Sequence, residues 1–485
     1  MRLLINLIFT TFPYLCRMEK TKEHKGFLAT LKGFSRPFWV ANTVELFERL
    51  AYYAFFIALT LYLSNVWGFG DVTAGLIAGV FSALLYLLPT FAGAFADKIG
   101  FRTSIILAFA LLSLGYTGLG LLPTFLESTG LVEYGFGGAS KTTFLGLESS
   151  PMQWSFVPVL LLIVIGGAFI KSVISGTIAK ETSSANRARG YAIFYMMVNI
   201  GSFTGKTVVD PLRKSLGDSG LIYIQFFSGA MTLVALIIVF FLYKSNQEQG
   251  KGKTFGEIWR ALLKVCANGR LMALILIVTG FWMVQHQLYA SMPKYVIRMV
   301  GENASPGWYA NVNPLVVLCV NFITSLMRKK RAITSMIIGM FIIPFSALLM
   351  ATGNLVGSDY ILGLHPVAFM MIVGIVFQAL AECFISPRFL EYFSLQAPKG
   401  EEGLYLGFSH LHSFFSSIIG FSLGGYLLNR FCPDPNSVRF PGGAESAEYI
   451  AATAHAHYMW FIFAAIGLVS AFALLIYDKV TKDKQ

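Results

Sequence analysis

The sequence predicts an all-helical membrane protein with twelve transmembrane helices in two six-helix bundles. Of its 485 residues, 55% are hydrophobic and only 13% are charged, about half the charged share of a soluble globular protein. The apolar residues lie in runs of about 20 with short polar joints between them, and a helix of that length crosses a bilayer. A membrane β-barrel would show short alternating segments instead.

Twelve apolar runs follow one another along the chain. The N-terminal bundle covers residues 38–243, with helices at about 38–64, 72–95, 103–125, 154–178, 189–211 and 220–243. The C-terminal bundle covers residues 271–477, with helices at about 271–297, 308–327, 332–353, 364–387, 403–429 and 457–477. Residues 1–37 and 478–485 form tails, and residues 1–17 either precede the true start at Met18 or form a loose extension.

The linker between the bundles covers residues 244–270 and is predicted to contain an amphipathic helix on the membrane surface. Its apolar residues recur at helical spacing beside Lys and Arg, namely Phe255, Ile258, Trp259, Leu262 and Leu263. Six helices, a basic linker and six more helices predict two parallel repeats with a binding site between them near mid-depth. The sequence shows no segment typical of a channel filter.

The net charge of +12 reports membrane topology, because most of the 37 Lys and Arg residues fall in joints on one side of the predicted membrane. This asymmetry predicts a multi-pass protein of the inner (plasma) membrane with both termini in the cytoplasm, and no nucleic-acid partner. The five cysteines are scattered without a CxxC pair, so neither a disulfide framework nor a metal site is predicted. His410 and His412 lie on different helix faces, which also argues against a metal site.

Three charged residues, Glu45, Glu48 and Arg49, share one face of the first apolar helix. Charges at membrane depth are costly, so they face a polar cavity or pair with one another. A carboxylate beside Arg49 stays ionised, whereas a carboxylate freed from it in a desolvated cavity binds a proton more readily. The cluster therefore predicts proton coupling, and a salt bridge that only holds helices together is the alternative.

A tight turn is predicted after the second helix, at Gly93-Ala94-Phe95-Ala96-Asp97-Lys98-Ile99-Gly100-Phe101-Arg102. The glycines allow a sharp turn, and Asp97 is expected to cap the third helix and pair with basic side chains. This turn resembles the signature between helices 2 and 3 of the major facilitator superfamily, which makes Gly93, Asp97, Gly100 and Arg102 the predicted gating and structural motif.

A narrower resemblance begins in the first helix. Glu45-x-x-Glu48-Arg49 followed by Tyr52-Tyr53 resembles the ExxER motif of the proton-dependent oligopeptide transporter family. Matches to that family continue in order at Gly166–Lys171 in helix 4, Phe194–Gly201 in helix 5, Asn313-Pro314 in helix 8 and Glu382 with Ser386-Pro387 in helix 10. Together they cover about residues 38 to 425.

The resemblance implies a symporter that imports di- and tripeptides with protons by alternating access, and not an enzyme. It implies a peptide or small-molecule substrate and no cofactor besides the proton as coupling ion. The protein is expected to lie in a lipid bilayer as a monomer. Lys171 would receive the peptide carboxylate or pair with a carboxylate of helix 1 or 10, and Glu382 would meet the amino group. The implied substrate-binding residues are Tyr52, Tyr53, Tyr86, Lys171, Asn199, Asn313 and Glu382.

The sequence departs from the family pattern at several places, and three of them lie at predicted site positions. Phe56 stands where the family often has an arginine, Ser409 where it has a pocket tryptophan, and His286 at its helix 7 acidic position. His286 is accordingly grouped with the proton-coupling residues Glu45, Glu48, Arg49 and Glu382, although a hydrogen-bonded helix linker is an equal alternative.

These departures leave other functions open. One is a proton-coupled transporter of another small polar solute, such as an amino acid derivative or nucleoside, and a further one is a non-transporting membrane sensor. Lys206 and Asp210, spaced four residues apart, are expected to pair with each other. Alternatively, Lys206 substitutes for the cation lost at Phe56.

Overall fold

Long apolar helices make up most of the structure, a computed structural model that describes residues 33–134, 144–145, 150–183, 186–244, 254–325, 331–357, 360–396, 407–437 and 439–482. The predicted extension at residues 1–17 and most of the basic run at residues 328–331 lie outside these ranges. The two described strands form a single antiparallel pair of two residues each, so the fold is all-helical as predicted.

The N-terminal half contains seven described helices and both strands. They are α1 (Arg36–Asn65), α2 (Asp71–Ile99), α3 (Phe101–Ser128), β1 (Glu133–Tyr134), β2 (Phe144–Leu145), α4 (Ser150–Gln153), α5 (Val157–Lys180), α6 (Arg187–Leu216) and α7 (Ser219–Leu242). Helix α1 begins where the Ser35 hydroxyl accepts a hydrogen bond from the Phe38 amide, just before Pro37, which favours a first helical turn.

The linker forms helix α8 (Phe255–Ala267), which a capping box of Thr254 and Glu257 begins. The C-terminal half then contains α9 (Gly269–Gln285), α10 (Gln287–Ala290), α11 (Met292–Val300), α12 (Pro306–Ala310), α13 (Val312–Ser325), α14 (Ala332–Thr352), α15 (Pro366–Leu395), α16 (Leu411–Phe431), α17 (Ala447–Thr453) and α18 (Tyr458–Lys482), with a short 3₁₀ turn at Gly443–Glu445.

Ten stretches of the described chain are helical, long enough and apolar enough to cross a membrane. Helix α6 has 30 residues and would measure about 45 Å, but Lys206, Asp210 and Arg213 give it a more polar composition. Helix α13 has only 14 residues. Length and composition therefore support ten of the twelve predicted crossings.

Two predicted helices are wrong as continuous elements. The predicted helix at 271–297 is divided into α9, α10 and α11, with breaks at His286 and Ser291. The predicted helix at 308–327 is divided at Asn311 into α12 and α13. Pro293 and Pro314 lack an amide hydrogen, so neither can donate the helical hydrogen bond to the residue four positions earlier, Tyr289 and Ala310, that would continue a helix across Ser291 and Asn311.

Close packing of α1 against α6 depends on two glycines of α6. A Cβ atom at Gly201 would lie 2.7 Å from the carbonyl oxygen of Leu46, and one at Gly205 would overlap the carbonyl oxygen of Leu50. Small residues at helix contacts in membranes let two backbones approach closely. This contact fixes the helix that carries Glu45, Glu48 and Arg49 against the helix that carries Lys206.

We expect Gly205→Ala to destabilise the protein by about 1–3 kcal/mol, because the added methyl group forces two helix backbones apart. Thermal unfolding of the purified protein in detergent measures the change. Gly256→Ala in α8 is the matched control, since a Cβ there meets nothing within 4 Å. Equal melting temperatures for the two variants would show that the contact between α1 and α6 can accommodate a methyl group at position 205.

Polar contacts join the two halves at the end of the molecule where α1 ends and α2 begins, here called the sealed end. Asp71 forms ion pairs with Lys294 at 2.8 Å and with Arg298 at 2.7 Å. Arg213 pairs with Glu302 at 2.8 Å and also donates to the carbonyl oxygens of residues 302 and 304. At the other end of α1, the described bond from Ser35 to Glu181 stays within one half.

Candidate functional site

The charged face of α1 forms one buried cluster. The Arg49 Nε atom lies 3.0 Å from Glu45 Oε1 and 2.5 Å from Glu48 Oε2, and all three residues are less than 10% exposed. The guanidinium carbon also lies 5.4 Å from the centre of the Tyr52 ring. Two carboxylates therefore share one guanidinium deep in the helix, and these three residues by themselves carry one negative charge in excess when both carboxyl groups are ionised.

A small cavity lies beside this cluster, with free space for about one water molecule. Helices α1, α2, α3 and α5 line it, and its polar lining residues are Glu48, Tyr52, Tyr116 and Lys171. Gly167 of α5 belongs to the same wall, where a Cβ would lie 2.8 Å from the Leu85 side chain. The absence of a side chain there lets α5 approach α2.

Lys171 reaches across this cavity from α5. Its Nζ atom donates to the Leu85 carbonyl oxygen at 3.1 Å and lies 4.3 Å from the centre of the Tyr86 ring, a cation–π contact. Within the described residues it forms no ion pair with Glu382, which was one of the predicted alternatives. It shares the cavity with Glu48 and interacts electrostatically with the whole charged cluster of the first helix, Arg49 as well as the two carboxylates.

Glu382 of α15 is held by neutral amides. The Gln285 Nε2 atom donates to its Oε2 at 2.7 Å, and the Asn313 Nδ2 atom donates to the same oxygen at 3.2 Å. Asn199, also predicted to bind substrate, donates to the Tyr195 carbonyl oxygen of its own helix. The structure thus brings the predicted residues Glu382 and Asn313 together and adds Gln285, which the sequence analysis did not single out and whose only signal was its place beside His286.

His286 lies at the break between α9 and α10. Its Nδ1 atom is 3.3 Å from the Ser416 hydroxyl and 3.5 Å from the Ser417 hydroxyl, both in α16. Its ring stacks on Tyr86 of α2 at 6.2 Å, and the ring of His410 stacks on the same tyrosine at 6.1 Å. His286 therefore contacts both halves of the molecule as well as linking α9 to α16.

Phe56 belongs to an aromatic wall between the halves. Its ring lies 5.1 Å from Tyr52, 5.0 Å from Tyr289 and 5.8 Å from Phe421. The ring of Tyr53 lies 6.1 Å from Tyr289 in the same wall. An apolar ring thus fills the position where the resembled family often has arginine, and Tyr289 is a wall residue that the sequence did not reveal.

The turn after α2 has the predicted location. Gly100 has a φ of +86°, which favours glycine, and Arg102 donates to the carbonyl oxygens of Phe240 and Tyr243 at 3.0 Å each. Gly93 packs against Ser172 of α5. The predicted capping by Asp97 is wrong: Gly100 is the cap residue of α3, because Asp97 still belongs to the last turn of α2.

The predicted pair of Lys206 and Asp210 is also wrong. The Lys206 Nζ atom donates to the Ala310 carbonyl oxygen at 3.1 Å, and Asp210 Oδ2 accepts from the Trp308 amide at 2.9 Å. The Lys206 ammonium and the Asp210 carboxylate therefore each form a hydrogen bond with the backbone of α12 in the other half, and not an ion pair with each other. Contacts between the two halves replace the expected ion pair within α6. The spacing of residues along one helix cannot predict such contacts.

The model of the Major Facilitator Superfamily matches residues 42–362, about two thirds of the chain. The chain belongs to this superfamily. Dipeptide and tripeptide permease B of Photorhabdus luminescens is 24% identical over 448 residues, covering 81% of this chain and 87% of the permease. Peptide transporter family 1 of Drosophila melanogaster is 29% identical over 213 residues, covering 42% of this chain and 26% of that protein.

Solved structures support the same fold for this superfamily member. A POT family transporter in complex with 5-aminolevulinic acid has a TM-score of 0.66 at 16% identity, covering 93% of this chain and 97% of the other. A structure described as giving insights into substrate recognition in proton dependent oligopeptide transporters has a TM-score of 0.64 at 17% identity, covering 92% and 99%. The chain therefore has the major facilitator fold, resembles the POT family, and is a multi-pass membrane protein of a transporter family rather than an enzyme.

Proposed function

We propose that this protein is a proton-coupled symporter that imports di- and tripeptides by alternating access. The observation that carries the proposal is the buried cluster of Glu45, Glu48 and Arg49, which adjoins a cavity shared with Lys171. A buried cluster with more carboxylates than cations has a place for a proton. The names of the relatives, dipeptide and tripeptide permeases, supply the substrate class.

A zwitterionic peptide matches the charges on the two sides of the site. Lys171 from the N-terminal half offers an ammonium to the peptide carboxylate, and Glu382 from the C-terminal half offers a carboxylate to the peptide amino group. Such charge-assisted contacts select oppositely charged ends. A neutral substrate would leave both buried charges without a partner, at a high cost in binding free energy.

The proton works through the shared guanidinium. In this structure Arg49 contacts both carboxylates, so protonation of one of them leaves a single ion pair with the other. A protonated carboxyl no longer holds Arg49 or attracts Lys171, which frees Lys171 for the peptide carboxylate. Proton binding and peptide binding thereby favour the same state, in which Lys171 is free of the carboxylates of α1. The proton is the coupling ion in this proposal, and no cofactor is required.

The proposed topology follows from the distribution of basic residues. Both termini lie in the cytoplasm of a cell whose inner (plasma) membrane holds the protein, as the positive-inside rule implies. The sealed end, with Asp71 and Arg213, then faces the outside, and ion pairs join the two halves on that side. We propose that a single chain suffices for transport, because its own two halves supply all the residues of the candidate site.

Uptake into proteoliposomes tests this function. We expect radiolabelled Ala-Ala to accumulate when the lumen is alkaline relative to the outside, and a protonophore to abolish the accumulation. Lys171→Met should lower uptake at subsaturating Ala-Ala by about tenfold or more, the size of one charge-assisted hydrogen bond. The control is the exposed Lys264→Met in α8. Absence of gradient-driven uptake for a panel of di- and tripeptides would contradict the proposal.

A second candidate is a proton-coupled transporter of another small zwitterion, and the aromatic wall around Phe56 favours it. With a ring in place of a cation, the site has one charged group fewer for a long peptide. A structural neighbour was solved with 5-aminolevulinic acid, a compact zwitterion. If 5-aminolevulinic acid competes with labelled substrate and di- and tripeptides do not, this candidate replaces the first.

A further inference from the structure

Lys206 of α6 is a buried cation with few partners. Its side chain has 0% exposure, and its Nζ atom donates one described hydrogen bond, to the Ala310 carbonyl oxygen at 3.1 Å. An ammonium group carries three hydrogens. Within the described residues no carboxylate lies within 4.0 Å of it. Burying a cation without a counter-ion is costly, so an anionic partner would stabilise it in another state of the protein.

Glu382, in the C-terminal half, is an anion without a cationic partner among the described residues. Its carboxylate accepts hydrogen bonds from the neutral amides of Gln285 and Asn313, and no cation among the described residues lies within 4.0 Å of it. A carboxylate that neutral donors hold remains able to bind an ammonium. The site therefore offers one cation and one anion that do not form an ion pair with each other.

One short segment brings these two groups close together. Ala310 ends α12 and holds Lys206, whereas Asn313, three residues later in α13, holds Glu382. The two charges interact electrostatically across this segment. The rings of Tyr53 and Tyr289 border the Lys206 ammonium at 5.5 and 5.9 Å. Lys206 is thus placed beside the Glu382 end of the site.

Lys171 occupies a different place. It shares the small cavity with Glu48, lies 4.3 Å from the centre of the Tyr86 ring, and interacts electrostatically with the first helix. In the proposed function it receives the terminal carboxylate of the peptide, while the peptide amino group is bound at Glu382. Lys206 is then left over for an anionic group that lies close to the amino group of the substrate.

We propose that Lys206 binds the side-chain carboxylate of an acidic first residue, so that peptides beginning with Asp or Glu are preferred substrates. This inference rests on the proposed function, since the orientation of the peptide fixes which of its groups reaches Lys206. In a dipeptide the group nearest to the amino end that can carry a negative charge is the side chain of residue one. Tyr53 and Tyr289 flank that side chain.

A purely structural role for Lys206 makes a different prediction. If its ammonium only holds the Ala310 carbonyl oxygen and thereby closes the halves, its loss lowers transport of every peptide by the same factor. A role in specificity changes the ratio between peptides that differ by one charge. The decisive readout is therefore a ratio of two affinities and not a rate.

Competition against labelled Ala-Ala uptake measures this ratio in proteoliposomes of the full-length protein. We expect Glu-Ala to compete about tenfold or more better than Gln-Ala, the size of one charge-assisted hydrogen bond. Ala-Glu, which places its extra charge at the other end, should show no such advantage over Ala-Gln. Lys206→Met should bring the ratio of Glu-Ala to Gln-Ala close to one, and Lys206→Arg should preserve a preference for Glu-Ala.

Thr207→Val is the matched control, because it removes the neighbouring contact between the halves, the 2.8 Å hydrogen bond from Asn311, without changing charge. It should affect Glu-Ala and Gln-Ala alike. Equal competition by Glu-Ala and Gln-Ala in the wild-type protein overturns the inference, whether or not the Lys206 variants fold, and leaves peptide transport standing. If no peptide competes or is taken up, the proposed function fails first and the inference fails with it.

Discussion

Glu48→Gln is expected to abolish accumulation of Ala-Ala driven by a pH gradient while exchange of internal for external Ala-Ala continues. The carboxylate lies 2.5 Å from the Arg49 Nε atom and lines the cavity that Lys171 also lines. A glutamine has nearly the same shape but does not titrate, so the variant resembles the protonated protein. It can still bind and exchange peptide, but it cannot release a proton to complete a net transport cycle.

Glu45→Gln identifies which carboxylate carries the proton. Glu45 also contacts Arg49, at 3.0 Å, but it is not part of the cavity lining. We expect this variant to keep part of the gradient-driven uptake, because Glu48 retains the cavity and the arginine. The exposed Glu445→Gln is the control for the loss of one carboxylate. Full gradient-driven uptake by both Glu48→Gln and Glu45→Gln would rule out proton coupling through this cluster.

Features that depend on neighbours in the sequence were predictable. The spacing of Glu45, Glu48 and Arg49 placed them on one helix face, and the structure joins them in one cluster. The apolar runs located ten helices that are long and apolar enough to cross a membrane. Both inferences rest on the periodicity of the α-helix and on the cost of burying polar groups, which act within a few turns of the chain.

Contacts between distant parts of the chain were not predictable in the same way. Helical spacing favoured a pair of Lys206 with Asp210, yet each of these residues is bound by backbone groups of a segment about 100 residues later. The partners of Glu382 include Gln285 from a helix about 100 residues earlier. No local pattern specifies which side chain will meet which when two halves pack together.

The departures from the family pattern are easier to interpret in the structure. In the sequence, Phe56 stands where the resembled family often has an arginine. In the structure, its ring packs in an aromatic wall with Tyr52, Tyr289 and Phe421. A charged side chain at that place would be surrounded by rings. Lys206 of α6 supplies a cation that borders the same wall, at 5.5 Å from the Tyr53 ring and 5.9 Å from the Tyr289 ring, and that interacts electrostatically with Glu382.

At the sealed end, one buried carboxylate forms ion pairs with two cations of the other half. Asp71 Oδ1 lies 2.8 Å from Lys294 Nζ and 2.9 Å from Arg298 Nη2, and Asp71 Oδ2 lies 2.7 Å from Arg298 Nη1. All three side chains are less than 10% exposed. One carboxylate thus joins α2 of one half to two cations on α11 of the other, and these cations repel each other without it.

Asp71→Asn is expected to shift the protein toward a conformation that is open at the sealed end. Breaking a buried ion pair by removing one partner costs about 3–5 kcal/mol, because the remaining charges stay desolvated and unpaired. In a conformation that is open at this end, water would hydrate Lys294 and Arg298. The substitution therefore raises the free energy of the sealed conformation but not that of the open conformation. A change of that size alters the ratio of the two conformations by about a hundredfold or more.

Distance measurements between spin labels can detect this shift. Labels at the exposed positions Leu216 and Ile450, one in each half at the sealed end, should show a longer distance in Asp71→Asn than in the unsubstituted background. Glu127→Gln, an exposed carboxylate of α3, is the control and should leave the distances unchanged. Identical distance distributions in the two variants would mean that the remaining contacts, such as Arg213 with Glu302, keep this end closed without Asp71.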